Sequence, residues 1–444
     1  MDQLLFRQAT AHDTEALVAF TADVLRHQDA AEPDASTAAW TRDLLSGRHP
    51  RFRPGDFSIV EDPATHRIVS CASLISQTWM FDRIPIRVGQ PELIGTDPAY
   101  RGRGLVRRQF EVLHRWSAAR GHHLLAIDGV PYFYRQFGYE MALERYGGRV
   151  LQAAHLLIGD TPYRVRQAVE SDLTFIADTA RQAAKRSLLT CERDDALWTY
   201  ELSGHDPMSF YRTELRTIVG PDESRVGFFA HAGHTARLAG ATLALYACEL
   251  ASDAWEAVTP TILMYLKLTG TDAAAKHGDH FRYIGLWMGT EHPFYAAIDR
   301  LAPQVVPSYA WYLRVPDLAG FLRHVAPALD RRLDRSAWSH YSGELRLSFY
   351  RDGLRLRFQA GKLMDATQWQ QSNQLLGVER LQPTTAERAD AFFPGLTFLQ
   401  LLFGYRSLEE LQYAFPDCLV RTDEARALLD ALFPQRPSSV WPAV

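Results

Sequence analysis

Between Glu92 and Leu113 the chain reads ELIGTDPAYRGRGLVRRQFEVL. Arg101, Gly102, Arg103 and Gly104 stand where a short apolar strand pattern (Leu93, Ile94) gives way to helical spacing at Val106, Phe110 and Leu113. A turn of this composition aims several backbone N–H groups at one point, with the positive end of a helix dipole behind them. The chemistry it suits is the binding of a phosphate or pyrophosphate. A P-loop would need Gly-Lys-Ser/Thr at its end, and neither the Lys nor the hydroxyl is present. The dinucleotide fingerprint fails as well, because Gly102-x-Gly104-x-x ends at Arg107 instead of Gly or Ala.

The spacing that fits is Arg101-x-x-Gly104-Leu105, which resembles the acetyl-coenzyme A loop of the GNAT N-acetyltransferases, Gln/Arg-x-x-Gly-x-Gly/Ala, with Val106 departing at the last position. The resemblance implies that backbone amides of Arg101, Gly102, Arg103, Gly104, Leu105 and Val106 hold the pyrophosphate of acetyl-CoA. It also implies that Ile94, Gly95 and Thr96 pair with the pantetheine arm. A second landmark, GVPYFYRQFGY over residues 129–139, resembles the end of that fold, where a tyrosine faces the thioester sulfur. The matching residue is Tyr134. Amine attack on a thioester expels a thiolate, which a phenol stabilises by donating a hydrogen bond. With reference pKa values of about 10 and about 8.5, full proton transfer is uphill by roughly 2 kcal/mol. Tyr134 therefore needs either a lowered pKa or a donor's role in the transition state, while Phe133, Phe137 and Tyr139 read as core aromatics.

The elements that position these residues follow the same order. Phe6 to Asp13 reads as a strand ending in a helix-capping Asp, and TEALVAFTADVL as a helix. FSIVED and HRIVSCASLISQTWMF read as two strands joined at Pro63-Ala64-Thr65, and HLLAI as the strand after the loop's helix. The loops from Asp29 to Ser36 and from Ser46 to Asp56 are expected to border the acceptor.

The chain then starts again. Val165 to Asp172 repeats Phe6 to Asp13 with Arg-Gln-Ala and the capping Asp 159 residues later, and Pro293-Phe294-Tyr295 follows Tyr134 at a similar offset. The second copy has no Arg-x-x-Gly, and Thr269-Gly270-Thr271-Asp272 reads as a turn. From Pro316 onward an amphipathic helix precedes GELRLSFY and GLRLRFQAG, a hairpin across Arg351-Asp352-Gly353. This segment resembles a sterol-carrier-like domain, whose apolar run Leu396 to Phe403 is either a cavity wall or, more commonly for such a run, core.

Two GNAT-like copies and a sterol-carrier-like segment together resemble the enhanced intracellular survival (Eis) family of N-acetyltransferases over essentially the whole chain. The expected fold class is α+β with mixed α/β sheets: a duplicated GNAT fold at 1–155 and 162–314, then a sterol-carrier-like domain at 316–444. The resemblance implies direct acetyl transfer to a primary amine, Tyr134 as general acid, and a homo-oligomer, commonly a hexamer. It also implies that the C-terminal carboxylate, here that of Val444, helps deprotonate the amine. An α-carboxyl with a reference pKa of about 3.5 holds a cation better than it takes a proton. Glu92 is a rival base, placed by alternation on the face of Ile94 and Thr96 and expected as a solvated strand end. Asp128, beside the site loop, is a third candidate for the base, with the capping of a turn as its expected job, and water is a further one.

Composition narrows the function classes. The 444 residues are 47% hydrophobic and 23% charged, with a net charge of −4, which argues against bulk nucleic-acid binding. The cluster Arg101, Arg103, Arg107 and Arg108 suits one anionic cofactor better than a polymer. Four scattered cysteines suggest a reducing compartment and no metal, and neither a signal peptide nor a ~20-residue membrane span is visible, so a cytoplasmic protein is expected. The acceptor is expected to be a small cationic amine or a lysine side chain. Two other readings stand beside the enzyme: a non-catalytic acyl- or lipid-binding protein on a degenerate scaffold, and a transferase of longer acyl chains.

Overall fold

A computed structural model describes residues 4–27, 29–156, 159–237, 240–370 and 389–444. The first repeat opens with β1 (Leu5–Gln8), α1 (Thr14–Val24) and α2 (Ala35–Leu45). α2 starts inside the stretch read as a loop, because Asp34 caps it by accepting the N–H of Ser36 at 2.8 Å and of Thr37 at 3.3 Å. The long hairpin β2 (Phe57–Asp62), β3 (Arg67–Phe81) and β4 (Ile84–Thr96) follows, then α3 (Leu105–Ala119), β5 (Leu124–Ile127), β6 (Glu140–Arg145) and β7 (Gly148–Gln152).

The second repeat begins with β8 (Arg164–Gln167), α4 (Leu173–Ala183), β9 (Leu189–Cys191) and α5 (Asp195–Ser203). It continues through β10 (Thr213–Val219), β11 (Arg225–Ala232), β12 (Ala236–Arg237), β13 (Ala241–Leu250) and α6 (Trp255–Ala275). β14 (Phe281–Leu286), α7 (Pro293–Ile298), β15 (Gln304–Val306) and β16 (Tyr309–Arg314) complete it. The duplication is visible in matched chemistry. Arg7 clamps Asp13 through bonds of 2.7 and 2.9 Å, and Arg166 clamps Asp172 at 2.5 and 2.8 Å. Each Asp also accepts the backbone N–H three residues before it, from Thr10 at 2.8 Å and from Val169 at 3.0 Å. Thr269-Gly270-Thr271-Asp272 is not a turn but part of α6. Gly270 lets the helix close on Phe281, since a Cβ there would stand 2.3 Å from the ring.

Each repeat builds a mixed sheet, but neither completes its own. The first runs β1-β2-β3-β4-β5-β16-β6 with β9 on the edge of β3, and the second runs β15-β7-β14-β13-β11-β10-β8 with β12 beside β13. The repeats have exchanged strands: β16 sits between β5 and β6, and β7 between β14 and β15. The two crossovers touch, since a Cβ on Gly147 would lie 2.8 Å from the Cβ of Ser308. Residues 1–155 alone therefore leave β5 and β6 without the strand that joins them. We expect that truncated chain to be insoluble or devoid of a cooperative melt, and co-expression with residues 156–444 to restore both; a soluble, cooperatively folded 1–155 would contradict the exchange.

The last unit contains α8 (Leu318–His324), α9 (Ala326–Asp334), β17 (Gly343–Ser348), β18 (Asp352–Gln359) and β19 (Lys362–Gln370). It ends with β20 (Ala391–Phe392), α10 (Phe398–Leu402), α11 (Leu408–Ala414), β21 (Leu419–Val420) and α12 (Asp423–Leu432). Its sheet runs β19-β18-β17-β20-β21, with Ser348 opposite Gly353 in the expected hairpin. Phe398, Leu401 and Leu402 are fully buried in one core with Trp79 and Val88 of the first sheet, so the run is packed as core from Phe398 to Phe403, while Leu396 at its start is exposed.

Candidate active site

α3 starts at an unusual cap. Gly104 has φ 75° and offers no side chain to the helix, and Gly102 has φ 76°, both in the left-handed region that favours glycine. Arg101 N–H is taken by Pro98 C=O at 3.3 Å, and the next turn closes only at Arg108 N–H to Gly104 C=O, 3.2 Å. The amides of Gly102, Arg103, Gly104, Leu105 and Val106 thus lie at the helix start, where no intrahelical carbonyl reaches them. Arg103 lies over Tyr100 at 4.7 Å, Arg108 over Phe6 at 3.8 Å, and Arg107 donates to Gln136 Oε1 at 2.8 Å. Among the described residues no carboxylate pairs with Arg101, Arg103, Arg107 or Arg108. Free amides, a helix N-terminus and unneutralised guanidinium groups make a site for a polyanion.

The strand leading to this loop opens a wedge. β4 and β5 run parallel but pair only at Val88–Leu124 and Gly89–Leu125, leaving Gln90 to Thr96 without a partner on that side. On its other side β4 is bulged: Cys71 faces Gly95 while Ser73 faces Glu92, and Leu93 takes φ 49°. The bulge resets the alternation. Glu92 therefore shares a face with Gly95 and not with Thr96, correcting the face read from strict period two. Gly95 is where α1 closes on the strand, since a Cβ there would meet Val24 at 2.8 Å. Thr96 Oγ1 is bonded to Ser70 Oγ at 2.9 Å. Ile94 and Val106, each partly buried, both pack against the cluster that holds Tyr134.

Tyr134 sits in a short 3-10 turn, Phe133–Phe137, and is 7% exposed. Its ring is edge-on to Phe110 and to Tyr312, at 6.1 and 5.3 Å. Its hydroxyl reaches the backbone of the loop after β5, where a Cβ on Gly129 would be 3.1 Å away. That loop is held by the exchanged strand, for Tyr312 OH accepts the N–H of Tyr132 at 2.5 Å. Burial, then the charges of Glu92 and Asp128, push the phenol well above its ordinary pKa. The shift runs opposite to the lowered pKa that full proton transfer would need, and it favours the protonated phenol.

Behind Tyr134 lies an acidic patch that corrects two expectations. Glu92 is not a solvated strand end. It accepts from Gln90 Nε2 at 2.6 Å, Gln90 accepts from Gln77 at 2.6 Å, and Gln77 accepts from Trp79 Nε1 at 2.8 Å, a polar chain through the core. Asp128 does not cap a turn but pairs with buried Arg145 at 2.7 Å, and Arg145 also donates to Tyr146 OH at 2.8 Å. Burial and Asp128 raise Glu92 from 4.5 to about 8, against the Gln90 bond and the attraction of Arg145. Between those values the folded chain keeps a proton that the unfolded chain releases, so stability falls as pH rises through that window. Glu92→Gln should then raise the melting temperature by ~3 °C or more at pH 8.5 and far less at pH 4.5; an equal shift at both pH values would contradict this.

Other residues near the patch had no local signal in the sequence. Tyr211, from the second repeat, feels the charges of Glu92 and Asp128 and stacks edge-on against Trp40 at 4.6 Å. Leu93, Trp40 and Val444 belong to one apolar cluster, with Phe20 and Tyr211 at its border. Val444 reaches it at the end of a pinned segment. Leu188 N–H bonds Pro437 C=O at 2.8 Å, Ser439 N–H bonds Leu189 C=O at 3.1 Å, and Arg193 holds the carbonyls of Trp441 and Pro442 at 2.9 Å each.

Among its described residues the second repeat offers no comparable site. α6 begins after Ala251-Ser252-Asp253-Ala254 with Glu256 in its first turn and no left-handed glycine at its cap, so a carboxylate already offsets the positive end of the helix. Tyr295, the counterpart of Tyr134, is committed to the carbonyls of Gly289 at 2.9 Å and Leu286 at 3.2 Å.

Residues 6–142 match the family model described as the acetyltransferase (GNAT) domain. That stretch carries the loop, the wedge and Tyr134. No curated protein matches the sequence. Among solved structures, the fold resembles a conserved protein from Enterococcus faecalis V583 described as a probable N-acyltransferase, at TM-score 0.66 and 13% identity over 99% of each chain. It also resembles a GCN5-related N-acetyltransferase from Anabaena variabilis, at TM-score 0.64 and 13% identity over 99% of each chain. Eis1 from Mycobacterium abscessus aligns over 99% of each chain at TM-score 0.58 and 14% identity. The duplicated GNAT architecture is thus shared along the whole chain, and the domain match supports acyl transfer in general. No described helix is long and apolar enough to cross a membrane.

Proposed function

We propose that the chain is an N-acetyltransferase that moves the acetyl group of acetyl-CoA to the primary amine of a small cationic acceptor or a lysine side chain. The observation that carries this reading is the pairing of a ligand-ready amide cradle at Gly102 to Val106 with a buried Tyr134, in a cluster that Ile94 of the wedge and Val106 of the cradle pack against. In the proposed mechanism the cradle and arginines hold the pyrophosphate, the unpaired edge of β4 around Ile94 receives the pantetheine, and the thioester lies beside Tyr134. The amine attacks the carbonyl carbon directly, the C–S bond breaks, and the phenol donates to the departing sulfur.

The incoming ammonium must lose a proton. Glu92, raised to about 8, is closer to an alkyl ammonium near 10.4 than an ordinary carboxylate is. We assign it the proton, and the carboxylate of Val444 the holding of the cation beside Leu93. Extending the chain by one glycine after Val444 should raise KM for the amine several-fold while leaving KM for acetyl-CoA unchanged; equal effects on both would remove Val444 from the site. The Eis-like assignment, the sterol-carrier-like last unit, the division at 1–155, 162–314 and 316–444, a hexamer and a cytoplasmic setting belong to the same proposal. Competition between acetyl-CoA and longer acyl thioesters, with the product weighed by mass spectrometry, tests the acyl group. An acceptor gaining predominantly a longer chain would replace acetyl by that acyl group.

A further inference from the structure

A cavity of about 640 Å³ lies between the repeats, lined by α4, β9, the end of β13 and the segment from Pro437 to Trp441. Its size falls in the range of roughly 300–1,000 Å³ typical of small-molecule sites. It contains neither Tyr134 nor any residue of the loop from Arg101 to Val106.

Its place in the fold is informative. By sheet order α4, α5 and β13 are the second repeat's counterparts of α1, α2 and β4. In the first repeat Trp40, Leu93 and Val444 gather at that position, and in the second Trp198, Ala247 and Trp441 do. The cavity is thus the second repeat's equivalent of the first repeat's acceptor side, and the same C-terminal segment ends in both.

Its chemistry differs from that of the first. The interior is apolar, with Met80, Ala177, Ala180, Leu188, Phe228 and Met288. Around it stand Arg83, Arg181, Lys185, Arg186 and Arg193 with Glu192, Glu249 and Glu291; Arg181 pairs with Asp178, Arg186 with Glu249 and Arg193 with Glu201, which leaves Arg83 and Lys185 as the cations with no carboxylate partner among the described residues. Two buried donors on its wall have no hydrogen-bond partner: Arg193 Nε and His292 Nε2. Each has only a carboxylate at 3.5 Å, and their side chains are 3% and 6% exposed. His292 Nδ1 accepts the N–H of Phe294 at 3.2 Å, which leaves the ring proton on Nε2. Orphaned buried donors mark a place where an acceptor belongs.

We propose that this cavity is a second ligand site, for an apolar chain ending in a carboxylate. The chain fills the space between α4 and β13, and the head group meets the basic side of the wall. Calorimetric titration of the full chain with dodecanoate, below its micellar concentration, tests this. The expected result is saturable binding at one site per chain, weakened at least tenfold by Ala180→Phe, which fills the cavity, and several-fold by Arg83→Glu with Lys185→Glu. Dodecyltrimethylammonium should bind at least tenfold more weakly than dodecanoate. Ala247→Leu fills the same space from the strand and stands in if Ala180→Phe does not fold. Absence of saturable dodecanoate binding would overturn the proposal. So would binding unchanged in a filled variant that keeps the wild-type melt, or equal affinity for the cationic amphiphile.

Discussion

Gly104→Val is expected to weaken coenzyme A binding about a hundredfold. Gly104 holds φ 75° at the cap of α3, and a β-branched residue there carries strain of roughly 1–3 kcal/mol. A Cβ would meet no protein atom within 4 Å, so the native fold itself is not crowded. Strain is relieved most readily by rotating the turn, which realigns the amides of residues 102–106 away from one focus. Each charge-assisted bond lost from such a cradle is worth about 1.5–3 kcal/mol, so a tenfold loss from each of two amides follows. Gly47→Val is the control, because Gly47 also has φ 77° and open space but stands on a loop after α2. It should lower the melting temperature comparably and leave coenzyme A affinity unchanged. Equal affinity losses in both variants would mean that the loop's effect is one of stability alone.

Tyr134→Phe should lower turnover by roughly tenfold to a thousandfold, the range of a lost acid or oxyanion donor. The loss should fall on kcat, with KM for acetyl-CoA nearly unchanged, because in the proposed mechanism the hydroxyl meets sulfur that carries charge only in the transition state. Since the phenol is held well above its ordinary pKa, no alkaline decline of activity below pH 10 should be assignable to its ionisation. An alkaline decline that vanishes in Tyr134→Phe would contradict the donor role. The ring itself packs on Phe110 and Tyr312, and phenylalanine preserves that packing, so the variant should melt near the wild type.

The parts of the site legible in the sequence are those whose signal is local. Arg101 to Gly104 can be read because glycines are favoured at the left-handed turns that focus the amides, and Tyr134 because it stands in a short aromatic motif. The bulge at Leu93 has no such mark: a leucine at φ 49° leaves no trace in residue type, and strict alternation put Glu92 on the wrong face. Glu92 and Asp128 look like ordinary surface acids until Arg145 and the glutamine chain close around them. The repeat was readable from Arg-Gln-Ala and its capping Asp, whereas the exchange of β7 and β16 was not, because strand pairing across the repeats depends on which sheet gap each strand fills. Gly270 misled for a related reason. A glycine in a helix reads as a turn unless the ring of Phe281 beneath it is known.

The exchange also bears on how the second repeat supports the candidate site of the first. β16 supplies Tyr312, which holds the loop of Tyr134, and the second repeat supplies Tyr211 and the strand β9 that the C-terminal segment follows. Among the described residues the second repeat shows no such cradle, yet it supplies the strand that joins β5 to β6 in the first.

Thiol release from acetyl-CoA, followed with polyamines, aminoglycosides and lysine peptides as acceptors, tests the central claim most directly. The account predicts amine-dependent release with at least one of these classes, one acetyl group gained by the acceptor for each thiol freed. Tight binding of coenzyme A with no release for any amine would contradict it and leave a binding protein on an acetyltransferase scaffold.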